Sequence, residues 1–74
     1  MTRSQSIALA ELQQKSLLQI QTDTAFTWAY RAWAARQLGL THDAIEYSHE
    51  AVEHAALTGN DDVLRKVREI VNAD

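Results

Sequence analysis

The chain has 74 residues, a formal net charge of −3, no Cys, no Pro and only two Gly. That length allows one domain at most, and a core this small rarely supplies more than ~3–5 kcal/mol without disulfides, a structural metal or oligomerisation. The missing Cys removes disulfides and thiolate zinc sites, the acidic balance gives no reason to expect nucleic acid or an anionic membrane as partner, and no apolar run approaches the ~20 residues that span a bilayer.

Hydrophobic residues make up 46% of the chain, the composition of a folded helical domain and not of a disordered tail. The N-terminal MTRSQSIALAELQQ has no apolar core of the signal-peptide kind, so a cytoplasmic protein is expected.

The first predicted helix covers residues 5–21, with Ser4 or Ser6 as its cap. Its apolar residues form two stripes. Ile7, Ala10, Leu17 and Leu18 share one side of the helix wheel; Leu9, Leu12 and Ile20 fall on the other. A lone surface helix needs one stripe. Two stripes predict that one faces the core and that the other, Leu9, Leu12 and Ile20, faces a second chain in a homodimer. The alternative is a helix sunk between two others of its own chain.

Thr22-Asp23-Thr24 is expected to break and cap the chain, opening a second helix over 24–38. This stretch, TAFTWAYRAWAARQL, is the most apolar of the sequence: ten of its fifteen residues are apolar or aromatic, and four of the five aromatics lie in it. A helix hydrophobic nearly all round must be covered on more than one side, which makes it the central helix. Gly39 ends it in the left-handed conformation, with Leu40 beyond. Thr41 then caps a third helix over 42–57, and the two-residue loop makes the pair antiparallel neighbours. Small residues on that helix, among them Ala44, Ser48, Ala51 and Ala55, permit close approach. Thr58-Gly59-Asn60-Asp61 is a stop and start signal. The last helix, 61–72, puts Val63, Leu64, Val67, Ile70 and Val71 on one face, an amphipathic lid. The expectation is a single all-α domain over residues 1–74, of three to four antiparallel helices.

From the central helix onward the chain resembles a tetratricopeptide repeat (TPR), a family that pairs two antiparallel helices in about 34 residues. Trp28 stands at the family's Trp position, Ala32 at its small-residue position, Gly39 at its inter-helix turn, and Ala44 and Ala51 at its helix-crossing alanines. The segment TDTAFTW looks like the junction between repeats, which would make the first helix half of a preceding repeat and the last helix a following or capping element. Arg31, Ala35, Ser48 and Ala56 depart from the family pattern. The resemblance implies a protein–protein interaction module or adaptor in which Phe26, Ala29, Trp33 and Arg36 line a groove for a protein or peptide partner. Trp and Arg are also common interface hot spots. Three fates are open for that face: core, dimer interface or peptide groove.

Two other chemistries have local signals. His42, Glu46, His49 and Glu53 are spaced four, three and four on one stripe, and Glu-x-x-His pairs bind metals in helical bundles. Such bundles need inward carboxylates from other helices, and the chain offers Glu11 alone on the first helix and none after Asp23 on the central one, so no metal or other cofactor is expected and the metal-binding bundle is the alternative. Ala35, Gly39 and Ile45 have helix-turn-helix spacing. The would-be recognition helix carries Asp43, Glu46, Glu50 and Glu53 with no Lys or Arg, and duplex DNA binding draws on cationic side chains; a DNA-binding regulator is a further alternative. Without Cys, a phosphate-binding Gly loop or a spaced nucleophile–base pair, no catalytic residue is expected and the protein is read as no enzyme.

Overall fold

The computed structural model describes residues 2–73, which form three helices: α1 (Arg3–Gln37), α2 (Thr41–Leu57) and α3 (Asp61–Val71). No strand occurs among the described residues, in line with the all-α expectation.

α1 corrects the predicted first two helices: residues 5–21 and 24–38 belong to one unbroken helix of 35 residues. Its cap is Thr2 and not Ser4 or Ser6. The Thr2 hydroxyl accepts from the Gln5 amide at 3.3 Å, and the Gln5 side chain accepts from the Thr2 amide at 3.0 Å, a reciprocal capping box. The expected break fails because its polar residues bond backward. The hydroxyls of Thr22, Thr24 and Thr27 donate to the carbonyls of Leu18, Ile20 and Asp23 at 2.8–2.9 Å. The Gln19 amide donates to the Asp23 carboxylate at 2.9 Å, one helical turn on. Ser and Thr hydroxyls serve either a cap or a carbonyl four residues back. With no Gly or Pro nearby to force an ending, the second use prevails. The TDTAFTW segment is therefore helical, and no inter-repeat turn exists there.

The two predicted turns do form. Gly39 has φ +76°; Leu40 N–H donates to the Ala35 carbonyl at 2.9 Å and Gly39 N–H to that of Arg36 at 3.1 Å. These are the two bonds of a Schellman ending, which needs a left-handed residue where Gly39 stands. α2 begins one residue before the expected start: Thr41 lies inside the helix, and Leu40, the residue at the cap position, makes no side-chain cap bond. At the next turn Gly59 has φ +66°, and the Asn60 side chain accepts from the amides of Asp62 and Val63 at 2.9 and 3.3 Å. Asp61 and Asp62 in the first turn of α3 complement its dipole.

The core is built mainly of alanine. Ala25, Ala29, Ala32 and Ala35 of α1, Ala44, Ala51 and Ala55 of α2, and Val67 and Val71 of α3 are buried. Small side chains let helix axes approach to the short end of the usual 8–10 Å. Phe26, Trp28, Tyr47, Val52, Val63, Leu64 and Ile70 rim this cluster, half-buried. No polar or charged residue is buried among the described residues.

Length decides what the core leaves out. A helix rises about 1.5 Å per residue, so α1 runs about 52 Å and α2 only about 25 Å; the molecule's longest dimension is 56 Å. α2 and α3 therefore reach about half of α1. Residues 2–20 are all exposed, and burial starts at Gln21. This corrects the expectation for Ile7, Ala10, Leu17 and Leu18: that stripe meets no core of its own chain. Among the described residues, no helix is long and apolar enough to cross a membrane.

Candidate interaction surfaces

The four residues expected to line one groove separate into two pairs. Ala29 has no exposed surface and belongs to the apolar cluster shared by all three helices, with Phe26 half-buried against it. Ala29 cannot touch a partner, because α2 and α3 already occupy its surroundings. Trp33 is 40% exposed. Arg36 is exposed and donates from Nη1 to the Ala73 carbonyl at 3.1 Å, which links the end of α1 to the residues just after α3. An open cleft beside it is lined by Arg36, Thr41, Ala44, Ile45, Ser48 and Val71, among others. Of the predicted groove, only the Trp33 and Arg36 end is accessible.

Trp28 packs at the rim of the core and makes a contact that sequence reasoning missed. Its ring lies 5.5 Å from that of Tyr47, centroid to centroid, at 44°. The Arg31 guanidinium carbon stands 4.9 Å from the Trp28 ring centroid, within the range of a cation–π contact. Arg31 is a departure from the repeat pattern, yet it follows Trp28 by three residues, the spacing that brings helix side chains together. That spacing was the available signal.

On α2, His42 Nε2 lies 3.1 Å from Glu46 Oε1, and both side chains are largely exposed. His54 and Glu50 form a second such pair at 3.6 Å, not anticipated from the sequence. Each is an ion pair when the imidazole is protonated, and each joins residues one helical turn apart. Among the described residues, no three His, Asp or Glu side chains come together as a metal ion requires. Arg65, Lys66 and Arg68 of α3 are exposed; Arg65 pairs with Asp62 at 3.0 Å.

The N-terminal half of α1 is an uncovered apolar surface. Ile7, Leu9, Leu12, Leu17, Leu18 and Ile20 are between 38% and 60% exposed. Leu9, Leu12 and Ile20, the candidates for a dimer interface, are thus accessible, and so is the other stripe. Scattered apolar residues on a surface are ordinary; six large ones on one projecting half-helix are not. Comparison with protein-family models, with curated proteins and with solved structures gave no match to this chain.

Proposed function

We propose that this protein is a small non-catalytic protein–protein interaction module that self-associates, as a homodimer, through the uncovered half of α1. The observation that carries the reading is the exposure of every residue from 2 to 20, six large apolar side chains among them. In proteins a helix gains its stability mostly from packing an apolar face. A second chain supplies that packing, and it also offsets the weakness of an alanine core. Leu9, Leu12 and Ile20 remain candidate contacts within that surface.

The rest of the chain serves as the body of the module. A TPR-like antiparallel hairpin of α1 and α2, with α3 as its lid, is supported by the buried Ala32, Ala44 and Ala51, by the left-handed Gly39 and by the Trp28–Tyr47 contact. With the junction at 22–24 helical, the likeness extends to one hairpin and α3, not to a preceding repeat. A second reading draws on the half-open Trp33 beside Arg36: the module also takes a peptide there, with an apolar residue on the Trp33 ring and a carboxylate on the guanidinium, whose planar fork suits it.

Light scattering behind size exclusion at micromolar concentration tests self-association. The expected mass is twice the 8.3 kDa of one chain. A single-chain mass throughout that range would overturn the reading.

A further inference from the structure

On a helix that turns about 100° per residue, Ile7, Ala10, Gln14, Leu17 and Leu18 fall in the same sector, about 120° wide, as Ala25, Ala29, Ala32 and Ala35. The four alanines are buried, and the five earlier residues are exposed. One face therefore runs the length of α1, covered by α2 and α3 from Gln21 onward and bare before it. Leu9, Leu12 and Ile20 lie outside this sector, on the opposite side of the helix, and are not contacts in the pairing that follows.

The geometry points to an antiparallel pairing of two copies along this face, each copy's residues 3–21 lying where the other's α2 and α3 leave off. The inference rests on the self-association reading and adds the face, the orientation and the register. Two observations carry it. The first is steric. α2 and α3 occupy the same face directly beyond the bare segment, so parallel copies would drive these helices into one another. Antiparallel copies place them at opposite ends.

The second is charge. Between Arg3 and Asp23 the only charged residues are Glu11 and Lys15. They project about 40° apart from a single flank of the bare face. Placing Ile7 opposite Leu18 of the second copy aligns residue numbers that sum to 25. Glu11 then lies within one residue, about 1.5 Å of rise, of Lys15 of the second copy. The two-fold axis repeats the pair. In an antiparallel pair the two flanks coincide, so opposite charges meet. In a parallel pair they lie on opposite sides and neither charge finds a partner. The face is self-complementary in one orientation.

The test uses the full chain at low ionic strength, where such pairs are least screened. E11K and K15E each bring like charges together twice and should weaken the homodimer about tenfold, some 1.4 kcal/mol. An equimolar mixture of the two should regain wild-type affinity. The E11K chain carries only cations on this flank and the K15E chain only anions, so opposite charges meet again across the mixed pair. Mixing leaves the charges within each helix unchanged, so recovery reports contact between chains. The native chain has no Cys, which permits orientation to be read by oxidation. Q14C, at the centre of the face and near the two-fold, should form a disulfide-linked dimer; I7C, on the same face, should not, its two copies being roughly 16 Å apart along the axis, whereas a parallel pair would bring them together. A monomeric wild-type protein would sink the self-association reading and this inference together. A dimer that the mixture fails to restore, or that I7C locks, would leave self-association standing and overturn the antiparallel face.

Discussion

The rings of Trp28 and Tyr47 meet across α1 and α2 with centroids 5.5 Å apart, and the Arg31 guanidinium lies over the Trp28 ring. In a core composed of alanine and valine, this aromatic pair ties the two longer helices together at its rim. Trp28→Ala should destabilise the protein by about 2–4 kcal/mol, below the full cost of a wholly buried Trp because the ring is half-buried. Trp33→Ala should cost less, about 1–2 kcal/mol, because its side chain is half-open. Urea denaturation of both variants checks the order; equal losses would mean that Trp33 is core.

Gly39 and Gly59 both have left-handed φ, and a Cβ at either would meet no atom within 4 Å. Substitution there should cost backbone strain alone. Gly39→Ala should lower stability by about 1–2 kcal/mol, and Gly39→Asn by less, since Asn tolerates that conformation better. Thermal melts of the pair separate strain from crowding: crowding would make the larger Asn the worse of the two.

Asp23 lies in the middle of the unbroken α1, and the Thr27 hydroxyl bonds to its carbonyl. Asp23→Pro removes a helical hydrogen bond and clashes with the preceding turn, at a cost of ~3 kcal/mol to the helix. The expected outcome is loss of helical circular dichroism from the N-terminal half and loss of the dimer, with the Trp28 environment retained in fluorescence. An unchanged dimer would show that self-association does not use the projecting segment.

His42 pairs with Glu46, and His54 with Glu50, each within one turn of α2 and without carboxylates from another helix. A chelator should leave the thermal midpoint in place, and stoichiometric zinc should raise it little, because metal stabilises a fold only through binding the native state better than the unfolded one. A large rise with zinc, abolished by His49→Ala, would instead establish the metal-binding bundle.

Arg36 donates to the Ala73 carbonyl from an exposed position. Arg36→Ala should change stability by less than about 1 kcal/mol, as exposed hydrogen bonds contribute little net. It should reduce capture of a peptide carrying an acidic residue next to an aromatic one, measured by fluorescence anisotropy. Unaltered capture would remove Arg36 from the binding surface.

The sequence by itself determined the helical class, both turns and the small-residue face of α2 that Ala44, Ala51 and Ala55 bury. Gly39 and Gly59 are legible because a left-handed ending is open to few residues, and Asn60 because its side chain caps amides two and three residues on. These are local effects, contained within a few residues. The continuity of α1 was not legible in the same way. Thr22, Asp23 and Thr24 are suited both to capping a new helix and to bonding back along an existing one, and residue type alone does not choose. Only the tertiary structure decided which apolar stripes are covered, since that depends on the length of α2 and α3 against α1. Ala29 is closed off and Trp33 left half-open for the same reason: the first falls within the three-helix cluster, the second at its edge. The stripe of Ile7, Ala10, Leu17 and Leu18 has the pattern of a core face, and within its own chain it lies beyond the reach of any helix that could cover it.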